Sequence, residues 1–152
     1  MISLLSFVQT GRLDDVELGT KRDEVERAFG PPNDWFAGHQ VTESPIWKYG
    51  NIELHFDAED RVFLIFCDNF YVPPEAPFAF DVSELGEQTE ADVESWLQRK
   101  EIRFEKVPYL WVDGVTVFRV PSDVELKVYA DDSVSTDESN IARLCSVSRI
   151  AR

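Results

Sequence analysis

The sequence predicts an α+β protein made of two similar modules, each a helix followed by an antiparallel β-meander. The modules form a shared or side-by-side antiparallel sheet with helices on one face. Three observations lead there. A chain of 152 residues with 43% hydrophobic residues is long and apolar enough for one domain with its own core. Helical apolar spacing occurs in each half, and alternating apolar and polar positions follow it. The chain also repeats itself: Pro45 to Asp60 reads P-I-W-K-Y-G-N-I-E-L-H-F-D-A-E-D, and Thr116 to Asp132 reads T-V-F-R-V-P-S-D-V-E-L-K-V-Y-A-D-D. With one residue inserted at the turn, Trp47 matches Phe118, Lys48 matches Arg119, Glu53 matches Glu125 and Leu54 matches Leu126. Halves of this size would be marginal alone, so residues 1–152 read as a single domain of two repeats. Module 1 spans about 1–70, a connector 71–84, and module 2 about 85–152.

The elements follow in chain order. Leu4, Leu5 and Val8 recur at helical spacing and predict a short N-terminal helix. Thr20 is placed to cap the next helix, with Asp23 and Glu24 at its positive end and Val25, Ala28 and Phe29 as its apolar stripe; Gly30, Pro31 and Pro32 stop it. Gly50-Asn51 suits a two-residue hairpin turn. That turn sets Tyr49 opposite Ile52 and Trp47 opposite Leu54, with Lys48 opposite Glu53 on the other face. A third strand, Val62 to Cys67, is apolar on both sides; if Leu64 and Phe66 enter the core, Phe63 and Ile65 face away.

Pro73, Pro74 and Pro77 mark the connector. In the second half, Thr89 caps a helix with Glu90 and Asp92 in its first turn, Val93, Trp96 and Leu97 as its stripe, and Arg99 and Lys100 at its end. Asp113-Gly114 predicts a tight hairpin joining Tyr109-Leu110-Trp111-Val112 to Val115 through Val120. Phe118, Val120, Val124, Leu126 and Val128 point inward, and Arg119, Glu125 and Lys127 outward. Asp131 to Asn140 reads as an exposed acidic loop, and Ala142 to Ile150 as the closing strand.

Charge and composition narrow the function. Fifteen Lys and Arg against 29 Asp and Glu leave a net charge of −14, which repels nucleic acid and anionic lipid and draws basic partners. The apolar run Ile2 to Val8 has no basic residue before it and is broken at Gln9, so it reads as neither export signal nor anchor. Cys67 and Cys145 lack metal-ligand spacing and suit buried thiols in a reducing cytoplasm. No nucleophile elbow or glycine-rich phosphate loop occurs, so no enzyme activity, catalytic residue, metal or cofactor is expected. Glu53, His55 and Asp57 share one strand face, but a polar outer face and a Lys48 partner explain them better than a metal does. Phe63, Phe70, Tyr71, Tyr109 and Trp111 are candidate anchors for a protein partner, with Asp131 and Asp132 as an acidic rim. A small-molecule-binding or catalytic domain with its ligand near Trp35, Trp47 and His55 is the alternative, and a self-pairing structural protein a third.

Gly19, Thr20, Val25, Gly30, Pro32, Trp47 and Tyr49, over residues 18 to 67, resemble the G-x-T-x-x-x-V, G-x-P and W-x-Y pattern of the β-lactamase-inhibitor-protein-like fold. That resemblance implies tandem copies whose concave, aromatic-rich sheet grips another protein. Without an export signal or a cysteine pair in each copy, it does not extend to β-lactamase inhibition or periplasmic assembly. The chain also resembles bacterial immunity proteins, which implies an acidic inhibitor that occludes a basic toxin-like partner.

Overall fold

The computed structural model describes residues 2–67, 80–85, 88–111, 113–129 and 144–151. A two-residue strand, β1 (Ile2–Ser3), leads into α1 (Leu4–Thr10). Ser3 Oγ accepts from the Ser6 amide at 3.1 Å, and Gly11 ends the helix at a φ of 69°. Leu4, Phe7 and Val8 are buried.

The second helix, α2 (Arg22–Phe29), starts one residue later than its sequence signal. The hydroxyl of Thr20 accepts from the Glu17 amide at 3.0 Å, a bond within the preceding turn, so Lys21 becomes the cap residue. The Glu24 carboxylate accepts from the Lys21 amide at 3.0 Å. Val25 is buried and Phe29 partly so, but Ala28 is exposed, which makes the stripe narrower than its spacing suggests.

Four strands follow: β2 (Asp34–Trp35), β3 (Ile46–Tyr49), β4 (Ile52–Phe56) and β5 (Val62–Cys67). The short β6 (Phe80–Asp81) pairs in parallel with β1, and the Phe80 amide donates to Asn51 Oδ1 at 3.0 Å. Then come α3 (Glu90–Arg99), β7 (Glu105–Pro108), β8 (Val115–Arg119), β9 (Val124–Tyr129) and β10 (Leu144–Ile150). Thr89 caps α3 as expected: its Oγ1 accepts from the Asp92 amide at 3.2 Å, and the Asp92 carboxylate accepts from the Thr89 amide.

The large sheet has the order β2-β3-β4-β5-β10-β9-β8-β7 and is antiparallel throughout, so the protein is α+β. Strands β2 to β5 supply one half of it and strands β7 to β10 the other, joined where β5 meets β10. Buried side chains from α1, α2 and α3 join those from alternate strand positions in one core. Among the described residues no helix is long and apolar enough to cross a membrane.

The first hairpin has the register its turn dictates, with Tyr49 opposite Ile52 and Trp47 opposite Leu54. Two strand expectations are corrected. A bulge lets β4 pass from His55 opposite Leu64 to Phe56 opposite Val62, which skips Phe63 and reverses the expected parity. Ile65 and Cys67 are therefore buried in the core, while Leu64 and Phe66 lie on the far side. The strand expected at residues 109–112 is instead Glu105–Pro108. Lys106 holds it down through Glu90 and Glu94 of α3, Glu105 faces Arg119, and an edge strand tolerates Pro108. Tyr109, Leu110 and Trp111 then lie in the loop that closes when the Tyr109 amide donates to the Val115 carbonyl at 2.8 Å. The acidic loop, residues 71–79 of the connector and the Cys145 side chain lie outside the described residues.

Candidate functional site

Directly opposed residues in an antiparallel sheet share a face, so register alone traces rows of side chains across it. One row crosses all eight strands on the side away from the core: Asp34, Lys48, Glu53, Phe66, Ser148, Glu125, Arg119, Glu105. It reads acid, cation, acid from either edge, and Phe66 and Ser148 meet at the centre.

Each flank is closed by its own ion pairs and hydrogen bonds. Lys48 Nζ lies 2.9 Å from Glu53, and His55 Nε2 lies 3.1 Å from the other oxygen of that carboxylate. In the second half, Arg119 donates to Glu125 from Nε and Nη2 at 3.1 and 3.0 Å, and Lys127 lies 3.8 Å from the same carboxylate. Lys48, Glu53 and His55 thus have counterparts in Arg119, Glu125 and Lys127. These partly exposed pairs fix charge pattern more than they add stability, since such pairs are worth about 0–1 kcal/mol each.

The possible metal strand is resolved by the same contacts. Glu53 and His55 bond each other, while Asp57 accepts from the Glu59 and Arg61 amides at 3.0 and 2.9 Å and so serves the turn. Among the described residues no three His, Cys, Asp or Glu side chains are grouped to hold a metal. Trp47 is buried in the core layer and His55 stands on the opposite face, so one pocket cannot use both. A cleft of about 260 Å3 lies by the N-terminal strand, lined by Ile2, Leu5, Asp81, Glu84 and Trp96 among others. Its carboxylates are engaged: Asp81 accepts from the Ser83 amide, and Glu84 from Trp96 Nε1 at 3.1 Å and Lys100 at 2.8 Å. Lys100, with Trp96, holds the Glu84 carboxyl below its ordinary range, and Ser83 does the same for Asp81.

The candidate anchors do not form one patch. Phe63 sits beside His55 at one end of the outer face, with ring centroids 6.2 Å apart. Tyr109, Val115 and Tyr129 line up at the other end, where Lys127 Nζ sits 4.9 Å from the Tyr109 ring. Strand geometry separates the two ends by about 30 Å. Phe70, Tyr71, Asp131 and Asp132 lie outside the described residues. Leu110 and Trp111, beyond Tyr109, are 88% and 84% exposed, and Tyr129 is 45% exposed. Leu110 and Tyr129 were not among the expected anchors. Tyr129 could have been found from its alternation with Lys127, whereas exposure of Leu110 depends on where β7 ends.

On the core side, Tyr49 donates its hydroxyl to the Gly30 carbonyl at 2.9 Å. Burial, with a smaller push from Glu26, raises its phenol well above the usual value. An unfolded chain gives up that proton near pH 10 while the folded one keeps it, so stability should fall as pH rises above about 10. Urea midpoints at about pH 8 and about pH 10.5 should show a steeper loss in the parent than in Tyr49→Phe, and equal slopes would contradict the assignment.

No family model, curated protein or solved structure matches the chain.

Proposed function

We propose that this chain is an acidic protein-binding module of immunity type, built by duplication of a helix-plus-strands unit, which inhibits a basic partner protein by covering it. The observation that carries the reading is the aromatic end of the sheet, where Trp111 and Tyr129 are exposed beside a partly buried Tyr109, on a chain of net charge −14. Duplication is supported by the row that reads alike from both edges and by the matched Lys48–Glu53 and Arg119–Glu125 pairs. In this reading the helices cover one face, in keeping with one core shared by all three, and the partner meets the exposed end of the other face, whose middle is buried at Val117, Ser146 and Ser148. A cytoplasmic setting is part of the proposal and rests on two cysteines without patterned spacing.

Long-range attraction between an acidic module and a basic partner weakens as salt screens it. Tagged protein exposed to lysate of its source cells should retain a basic protein at low salt and release it at high salt, as read by mass spectrometry. Retention of nothing at low salt would refute the proposal.

A further inference from the structure

We infer that the β7–β8 hairpin end, Tyr109, Leu110 and Trp111 with Tyr129 beside them, is the anchor that enters an apolar cleft rimmed by Lys and Arg on a basic protein. This rests on the acidic-module reading and specifies where that module grips. Side chains as exposed as Leu110 and Trp111 give nothing to the core, and two large apolar groups held at a hairpin tip have the form of a binding hot spot.

The charges around the tip choose the partner. From Pro108 to Val115 the sequence has no Lys or Arg, and Asp113, two positions after Trp111, is exposed. The nearest described cation on the outer face, Lys127, is drawn over the Tyr109 ring and toward Glu125. Anionic lipid is repelled by a chain of −14, and so is a second copy of equal charge. The adjoining edge strand also carries Lys106 and Pro108, which discourage strand pairing between copies. A cationic rim around an apolar floor complements all of these features.

The test compares the parent with Trp111→Ala, Leu110→Ala and, at the opposite edge of the sheet, the half-exposed Phe36→Ala. Each is melted and then titrated against the protein retained at low salt, and each is sedimented with phosphatidylcholine vesicles. Both tip variants should melt with the parent and lose roughly tenfold or more in affinity, while Phe36→Ala keeps it. Tip variants that bind within about twofold of a parent still showing salt-sensitive capture would overturn the anchor and leave the acidic-module reading intact. A parent that captures nothing overturns both. Vesicle binding by the parent that disappears in Trp111→Ala would assign the tip to lipid and also overturn the inference.

Discussion

Replacing Trp47 by Ala should cost about 3–5 kcal/mol, a large share of the roughly 5–15 kcal/mol that holds a domain of this size together. Trp47 is 2% exposed and central to the first half's core. Its indole Nε1 donates to the Val41 carbonyl at 2.6 Å, its ring meets Phe56 edge-on at 5.2 Å, and the Arg22 guanidinium lies 4.9 Å from its centroid. Arg22 in turn binds Asp60 and the Ser44 carbonyl, so the indole supports the start of α2 as well as the sheet. Loss of the ring opens a cavity, leaves Val41 without its donor and loosens Arg22. Trp47→Phe keeps the ring contacts but strands the carbonyl, and about 1–3 kcal/mol is expected. Urea unfolding measures both, and a loss under about 1.5 kcal/mol for Trp47→Ala would contradict this packing account.

Gly11→Ala should cost about 2–4 kcal/mol, for two separable reasons. At a φ of 69° an added Cβ is strained by roughly 1–2 kcal/mol. The same Cβ would also sit 2.6 Å from Arg149 Nε. Arg149 lies on the core side of β10, opposite Ile65 and Val124, and donates from Nη1 to the Gly11 carbonyl at 2.8 Å. Ser122 donates to the Val8 carbonyl at 2.6 Å, so the last turn of α1 is finished by side chains from the second half of the chain. The Nε of Arg149 is buried without a partner, a cost borne to place a cation at a helix C-terminus. A double-mutant cycle separates the reasons: in an Arg149→Ala background Gly11→Ala should cost only the backbone strain. Strict additivity would show that the two residues do not interact.

Much of the fold was legible because local rules and burial agreed. The Gly50-Asn51 turn fixed the first hairpin, and Thr89 marked the start of α3 with its own reciprocal cap. The inward set Phe118, Val120, Val124, Leu126 and Val128 is buried throughout. Errors arose where local rules had nothing to discriminate. Val62 to Phe66 is apolar at every position, so its parity was set by a bulge with no sequence signal. Thr20 and Lys21 both precede α2, and competition from the Glu17 amide decided between them. The β7 strand was misplaced because its anchors, Glu90 and Glu94, are supplied by a helix distant in sequence. The aromatic end was legible as residue types, but the distance between Phe63 and Trp111 came only from strand order.

That strand order also governs how the molecule can be made. The seam between β5 and β10 sets Cys67 opposite Val147, 147 minus 67 or 80 positions later. As the chain leaves the ribosome, both half-sheets can assemble while β5 and β9 still lack a neighbour, and each half then offers an open template to any passing strand. The seven-residue strand β10 works as a zip that closes both at once, so each half-sheet keeps an open edge until that one strand has been made.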